Sequence, residues 1–308
     1  MKTNFLKALL IFSLFLSACN LNPSTTNKDK LNIVTSFYPL YEIAHQVGQD
    51  QINLKNLVPN GTEPHDFEPS PQDLISLNQA NLVIYNGMGL ESWIDKVKPD
   101  LEKNGVQFLD LSQTLSEKIP YKNSTNNPEE KFTYDPHFWL DPISYQTETK
   151  AITQKLIDLS PQNQSTFQQN SDQYQKQLQD LANQYQNGFK NCQHNQFITN
   201  HAAFGYLAKR YNLTMVSISG LSPDSEPSVK TLTELTQFIK KNKINYLLTE
   251  TLISPKIAET LAKETNAQTL LLNPLEGLSD TEINQGENYV TIMRKNLINL
   301  QTALQCKP

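Results

Sequence analysis

Short apolar runs alternate with amphipathic stretches along the chain, in two halves of similar order. The apolar runs predict buried strands at residues 31–36, 52–58, 82–86 and 106–109, and again at 196–199, 214–219, 246–249 and 268–271. The amphipathic stretches predict helices near residues 39–47, 71–79, 90–97, 204–210, 229–241, 255–264 and 287–304. Because strands that alternate with helices are typical of parallel sheets, we expect an α/β fold of two Rossmann-like lobes with mostly parallel sheets.

A long amphipathic helix is predicted between the halves, over residues 160–191. Ser160 followed by Pro161 is typical of a helix start. The apolar side chains that follow share one helical face; they are Phe167, Tyr174, Leu178, Leu181, Tyr185 and Phe189. A helix of about 30 residues is ~45 Å long, so we expect it to join an N-terminal lobe (31–159) to a C-terminal lobe (192–308) as a single rigid strut. A helix that pairs in a coiled coil is the alternative.

The first residues have the pattern of an export signal. Two lysines precede an apolar stretch over residues 8–16, and small residues follow. The tetrapeptide LSAC, which ends at Cys19, resembles a bacterial lipobox, in which the cysteine is acylated after cleavage. We therefore expect a signal peptide (1–18), a lipid on Cys19 and a polar tether (19–30). An ordinary signal peptide with a chance cysteine is the alternative.

Composition narrows the class of protein. The 308 residues are enough for about two domains of ~150 residues, and beyond the leader no apolar run approaches the ~20 residues that span a bilayer. The chain carries 26 Lys and Arg against 31 Asp and Glu, a net charge of −5. This balance argues against a nucleic-acid binder, because such binding relies on basic side chains that neutralise phosphates.

Two cysteines, Cys192 and Cys306, remain in the exported part of the chain. In an oxidising compartment a pair of thiols tends to form a disulfide. A bridge between them would close a long loop and stabilise the fold by up to ~4–5 kcal/mol in the chain-entropy model. Two separate buried thiols are the alternative.

Three of the five histidines occupy positions where ligands bind in α/β proteins. His65 follows the second predicted strand, His137 precedes a helix, and His201 lies just past a strand end. Because ligands of open α/β sheets bind outside the carboxyl ends of strands, all three are candidate metal ligands. Their separations of 72 and 64 residues match no short ligand motif, so buried or capping histidines are the alternative. His45 and His194 are expected to be surface or capping residues.

The segments around these three histidines resemble a known family. GTEPHDFEPSPQDL, DPHFWLDP and HAAFGYLAKRYNL are similar to the histidine segments of cluster A-I substrate-binding lipoproteins, the metal receptors of bacterial ABC importers. LLTETLISPKIAETLAKETNA and LLNPLEGLS resemble later blocks of that family, and the similarity covers roughly residues 31–304. The resemblance implies two α/β lobes joined by one rigid helix, with a metal ion held at the lobe interface.

The resemblance also implies a ligand set of His65, His137 and His201. Manganese members of the family generally have Glu at the third position and zinc members have His, so His201 favours Zn²⁺ as the transported ligand over Mn²⁺. This agrees with the preference of Zn²⁺ for imidazole and of Mn²⁺ for oxygen donors. Zinc receptors of the family often carry a histidine-rich loop before the second ligand. The polar loop predicted at residues 117–135 takes that place but contains no histidine, so we expect a plain solvated loop.

The sequence does not identify the fourth ligand. Where many members of the family read Asp-Pro-Leu, this chain has Asn273-Pro274-Leu275, and a neutral amide is a weaker ligand than a carboxylate. The candidates that could complete a tetrahedron are Asn273, Glu276, Glu250, Asp280 and a water molecule. Among the carboxylates that flank the histidines, Asp66 and Asp141 are expected to orient imidazole rings.

We therefore expect a high-affinity extracytoplasmic zinc receptor, a membrane-anchored and monomeric lipoprotein that delivers its ion to the permease and ATPase of an ABC importer. Three imidazoles and a water also describe a catalytic zinc centre. However, the sequence has no HExxH, GxSxG or phosphate-loop motif, so we expect no enzyme. A manganese receptor of the same family and a surface adhesin on the same scaffold are the alternatives.

Overall fold

The structure is a computed structural model that describes residues 30–121, 132–223 and 225–307. The predicted signal peptide, the predicted lipid site at Cys19 and most of the predicted tether lie outside these residues, as does the central part of the predicted loop at 117–135. Within the described ranges, no helix is both long enough and apolar enough to cross a membrane.

The N-terminal lobe is built on a parallel sheet with the strand order β2-β1-β3-β4. Its strands are β1 (Leu31–Thr35), β2 (Ile52–Asn56), β3 (Leu82–Tyr85) and β4 (Gln107–Asp110). Its helices are α1 (Tyr38–Gly48), α2 (Pro71–Asn78) and α3 (Ile94–Lys103). The apolar run of β3 is buried at every position because this strand is central, whereas the edge strands β2 and β4 are partly exposed.

Helix α3 begins later than the sequence pattern predicts. Residues 90–93 form turns, and within them the Glu91 carboxylate points back to accept the N–H groups of Asn86 and Gly87. It also accepts the hydroxyl of Ser36, so it joins the ends of β1 and β3. The periodicity near residue 90 therefore belongs to this buried turn.

Two long helices connect the lobes, α4 (Pro142–Leu159) and α5 (Gln164–Gly188), with the 3₁₀ turn Pro161–Asn163 between them. The predicted apolar face of α5 is buried from Phe167 to Tyr185, and it packs against α1 and α4. The Ser160 hydroxyl does not cap the backbone as predicted, because it accepts the side-chain amides of Gln162 and Asn163.

The C-terminal lobe repeats the topology of the first, with the strand order β6-β5-β7-β8 in a second parallel sheet. Its strands are β5 (Gln196–Thr199), β6 (Thr214–Ser217), β7 (Tyr246–Thr249) and β8 (Gln268–Leu271). Its helices are α6 (Gly205–Arg210), α7 (Val229–Asn242), α8 (Lys256–Thr265), α9 (Asp280–Asn284) and α10 (Tyr289–Ala303). Helix α10 also packs against α5. The fold prediction of two α/β lobes and a long connecting helix is therefore confirmed.

One continuous apolar core runs through both lobes and the connecting helices. Tyr145 of α4 stacks on Tyr289 of α10 with ring centroids 3.7 Å apart, and the Tyr185 hydroxyl donates to the Met293 carbonyl. A predicted link is also present: Cys192 and Cys306 form a disulfide across 114 residues, which ties the chain after α5 to the chain after α10. The elements on either side of the lobe junction are thus held together by shared packing.

Candidate metal centre

Four side chains from separate segments converge where the lobes meet. His65 lies between β2 and α2, and His201 lies two residues past the end of β5. His137 directly precedes the 3₁₀ turn Phe138–Leu140 that leads into α4, and Glu276 lies between β8 and α9. The segments of His65, His201 and Glu276 follow strands directly, which is where parallel sheets present ligands.

Their nitrogen and oxygen atoms form the corners of a small tetrahedron. The Nε2 atom of His137 lies 3.1 Å from that of His65 and 3.3 Å from that of His201. The Oε1 atom of Glu276 lies 3.3, 3.4 and 3.2 Å from the Nε2 atoms of His65, His137 and His201. A tetrahedron with such edges has its centre about 1.9–2.1 Å from each corner, close to the Zn–N and Zn–O distances of ~2.0–2.2 Å.

The cluster is closed to solvent. His137 and His201 are 0% exposed, Glu276 is 1% exposed and His65 is 7% exposed. Side chains occupy all four corners, so the geometry supplies a complete four-coordinate site. Among the described residues, these four are also the one group of His, Cys, Asp and Glu side chains arranged to hold a metal ion.

Two buried carboxylates orient two of the imidazoles. Asp135 accepts both the backbone N–H of His137 and its Nδ1, each at 2.9 Å. Glu250 accepts the backbone N–H of His201 at 3.0 Å and its Nδ1 at 2.6 Å. With its proton on Nδ1, each ring directs the lone pair of Nε2 toward the centre of the cluster.

The carboxylates predicted for this orienting role do not perform it. Asp66 is exposed to solvent. Asp141 caps α4 by accepting the N–H groups of Ile143 and Ser144, and it forms an ion pair with Arg210. Asp135 lies two residues before His137 and Asp141 four residues after it, and only Asp135 reaches the ring.

Among the candidates for the fourth ligand, the structure brings Glu276 to the cluster. Glu250 is occupied with the far side of the His201 ring. Asn273 is buried away from the corners, since its amide donates to Glu282 and accepts the N–H of Leu275. Asp280 is exposed at the start of α9. A water is not needed as a fourth ligand, because Glu276 takes that corner.

The remaining two histidines lie elsewhere, as expected. His45 is exposed on α1 and stacks on Tyr41. His194 is half-buried, and its backbone N–H donates to the Leu304 carbonyl.

Burial and neighbouring charges shift the pKa values of the clustered groups in opposite directions. Burial by itself lowers the pKa of His201, but the carboxylates of Glu250 and Glu276 outweigh it and raise that pKa well above its usual value. The pKa of His137 is also raised, because hydrogen bonds to Asp135 and Glu276 outweigh burial. The pKa of Glu276 lies well below its usual value despite burial, owing first to His201. Without a cation, His137 and His201 therefore keep their protons to higher pH than an ordinary histidine, opposite the Glu276 carboxylate, whose pKa is lowered.

For two further groups at the cluster, burial sets the direction of the pKa shift. Burial lowers the pKa of His65. Burial, together with the nearby charge of Glu276, raises the pKa of Glu63 to about 10. Glu63 therefore carries a proton at neutral pH in the metal-free protein, and a cation bound beside it would displace that proton.

The two described ends of the predicted loop at 117–135 form hydrogen bonds and a ring contact, so they are not a plain solvated loop. Tyr121 and Thr133 share a backbone hydrogen bond, and so do Ile119 and Asp135. The Tyr206 hydroxyl accepts the N–H of Ile119. The Phe132 ring meets the edge of the His65 ring at a centroid distance of 5.8 Å. Sequence analysis missed this link, because polar composition hides the pairing of the loop ends.

The sequence and the fold both match known proteins. Residues 33–303 match the family described as "Zinc-uptake complex component A periplasmic". The high-affinity zinc uptake system protein ZnuA of Bacillus subtilis is 38% identical over 304 residues, which cover 96% of this chain and 95% of that protein.

Solved structures show the same fold. The Zn(II)-bound ZnuA-like domain of Streptococcus pneumoniae AdcA is 39% identical, with a TM-score of 0.77 over 89% of this chain and 99% of that chain. The laminin binding protein Lmb of Streptococcus agalactiae, described as bifunctional with adhesin and metal transporting activity, is 31% identical with a TM-score of 0.78, over 89% and 99% of the two chains. Because the family match spans nearly the whole described chain, the protein belongs to the zinc-uptake complex component A family, the non-enzymatic substrate-binding proteins of zinc uptake.

Proposed function

We propose that this protein captures Zn²⁺ outside the cytoplasm and delivers it to the permease and ATPase of an ABC importer. The observation that carries the proposal is the tetrahedron of three imidazole nitrogens and one carboxylate oxygen. His65, His137, His201 and Glu276 are its ligands, and family membership supports their use in zinc uptake.

The donor set favours zinc over manganese. Zn²⁺ binds well to three imidazoles and one carboxylate at four tetrahedral corners. Mn²⁺ is better served by more oxygen ligands and by octahedral geometry, which a closed four-cornered site does not offer. Zinc is therefore the transported ion, and manganese is the weaker competitor.

The closed four-coordinate site supports a role as a carrier and not as a catalyst. A catalytic zinc site keeps one position open for water or substrate. Here a protein side chain stands at each corner, and the ligand side chains are almost fully buried. The bound ion is consequently cargo that is held until it is transferred.

Export and anchoring follow from the leader. The LSAC sequence supports cleavage before Cys19 and acylation of its sulfur, with residues 19–30 as the tether and a monomeric two-lobed receptor (31–159, 160–191 and 192–308) beyond it. Lipid at Cys19 would keep the receptor near the permease. Metabolic labelling with a palmitate analogue should mark the wild-type protein and not Cys19→Ala.

Similarity to Lmb supports a second candidate function, adhesion to a host surface protein such as laminin. An adhesive surface would retain binding when the metal site is disrupted. Surface plasmon resonance with immobilised laminin, for the wild type and for His201→Ala, tests this: no binding by either protein excludes the adhesin.

The central experiment compares two histidines by competition titration with a zinc chelator. We expect His201→Ala to weaken zinc binding by more than about 100-fold, because losing even an orienting partner of a ligand costs 10–100-fold. His194→Ala should bind zinc like the wild type. Equal affinities of the two variants would refute the ligand assignment. Elemental analysis of the purified exported protein should find about one zinc per chain.

A further inference from the structure

The four ligand side chains are buried in this structure, so none of them is exposed to an incoming ion. Glu63 is a carboxylate beside this cluster that is more exposed than the ligands next to it. Its side chain is 16% exposed, against 2% for the His65 side chain and 1% for Glu276. Its Oε1 atom lies 4.0 Å from the Nε2 of His65, beside the corner that His65 supplies.

One oxygen of Glu63 becomes available for a ligand once its proton is displaced. Oε1 accepts the backbone N–H of His65 at 3.1 Å, which holds the Glu63 side chain against the His65 backbone. Oε2 is buried, and no group in the described parts of the chain hydrogen-bonds to it. An unpaired carboxylate oxygen in a buried position is costly unless it serves a ligand or a proton.

The adjacent corner, His65, is the one imidazole of the three that no carboxylate holds through Nδ1 among the described residues. Nδ1 of His65 has no hydrogen-bond partner among the described residues, whereas Asp135 and Glu250 hold the other two rings. The segment that carries His65 lacks regular secondary structure from residue 57 to 70. It meets the C-terminal lobe through the N–H of Gly61, which donates to the Leu278 carbonyl at 3.0 Å. Carboxylates thus hold two of the three imidazole corners, and the His65 corner is the natural side for an ion to pass.

We propose that Glu63 is a transit ligand, whose carboxylate binds Zn²⁺ at the solvent side and passes it to the His65 corner of the cluster. This proposal rests on the zinc-binding function proposed above. The hydrated ion exchanges a water for an oxygen of Glu63, whose proton passes to water. It then exchanges that oxygen for Nε2 of His65 as the remaining ligands close on it, and Glu63 takes up a proton again. Zinc tolerates a transient fifth ligand, so the exchange does not require a bare ion. Release follows the same steps in reverse.

A transit ligand has a distinctive kinetic effect. It stabilises the state between the free and the bound ion, so its removal slows association and dissociation together. The equilibrium affinity then changes little, since Glu63 is not a corner of the final tetrahedron. A permanent ligand would behave differently, because its loss mainly accelerates dissociation.

Stopped-flow zinc association and chelator-driven dissociation can be compared for the wild type, Glu63→Gln, Glu63→Asp and the control Glu68→Gln. Both substitutions at position 63 keep an acceptor for the His65 N–H. Gln removes the carboxylate, and Asp keeps the charge but shortens its reach. Glu68 is an exposed carboxylate of the same segment, paired with Lys96. We expect both variants at position 63 to slow both rates by about tenfold or more, with affinities within about threefold, and the control to match the wild type.

Several results would overturn the transit role. One is a pair of unchanged rates in Glu63→Gln. Another is slower association, with unchanged dissociation, in Glu63→Gln together with wild-type rates in Glu63→Asp, because this pattern indicates charge steering. A third is faster dissociation with weaker affinity, which indicates a permanent ligand. Thermal unfolding of each metal-free variant checks that it is folded. Failure of the wild type to bind zinc would instead refute the proposed function, so the two failures are distinguishable.

Discussion

The indole N–H of Trp139 donates to the carbonyl oxygen of Pro274 at 2.8 Å, although the residues lie 135 positions apart. Trp139 follows His137 by two residues, and Pro274 precedes Glu276 by two. The Tyr289 hydroxyl in turn donates to the Trp139 carbonyl at 2.7 Å. This buried chain of hydrogen bonds joins the lobes directly beside the metal centre and sets the spacing between two of its corners.

Replacing Trp139 with Phe should weaken zinc binding by about tenfold. The substitution keeps an apolar ring but leaves the Pro274 carbonyl unpaired, which costs ~1–3 kcal/mol and loosens the segment that carries Glu276. Trp93→Phe is the matched control, because Trp93 is equally buried but packs in the separate core of the N-terminal lobe. Chelator competition should show weaker binding for Trp139→Phe alone. Equal zinc affinities of the two variants would show that the hydrogen bond does not position the site.

Asp135→Asn and Glu250→Gln should each weaken zinc binding by ~10–100-fold, the usual effect of losing the partner of a ligating imidazole. Each amide can still hydrogen-bond to the ring but no longer supplies the negative charge that supports a metal-bound imidazole. Asp66→Asn should have the wild-type affinity, since Asp66 is solvent-exposed. A loss of affinity in Asp66→Asn that matches the other two would restore the role expected of it from the sequence.

Zinc binding should weaken as the pH falls, and the decline should begin above the ordinary histidine pKa of ~6.5. The pKa values of His137 and His201 are raised in the metal-free protein, so these rings keep their protons to higher pH, and zinc must displace them. Each displaced proton changes the affinity by about tenfold per pH unit below the pKa of its group. Calorimetric titrations in buffers of different ionisation enthalpy measure the protons released. Equal affinities at pH 5 and 7.5 would contradict the assignment of imidazole ligands.

Removing the disulfide should destabilise the metal-free protein without abolishing zinc binding. Cys192→Ser with Cys306→Ser opens a loop of 114 residues, which costs up to ~4–5 kcal/mol in the chain-entropy model. Neither cysteine belongs to the metal cluster. Urea unfolding should show the lost stability, and chelator competition should show an affinity within about threefold of the wild type. An unchanged unfolding midpoint would mean that the disulfide constrains neither state.

The sequence alone predicted the strands and most of the helices and made the three histidines candidates, and the resemblance to a known family implied them as the ligand set. These features have local causes. Buried strands need consecutive apolar residues, α5 needs apolar side chains on one face, and the histidines lie in segments next to strand and helix ends. The length of the predicted helix indicated a strut that contacts both lobes, and α5 does pack against helices of both.

Only the tertiary structure decided the fourth corner and the groups that orient the rings. The sequence left Glu276, Glu250, Asp280, the weaker amide of Asn273 and a water open as candidates. The loop after β8 turns Glu276 into the cluster, while Asn273 holds that loop from within. Asp135 and Asp141 likewise flank one histidine, and the backbone turn between them separates their roles. Coordination depends on distances of a few ångströms between residues far apart in the chain. Packing of the two lobes sets such distances, and no local pattern of residues encodes them.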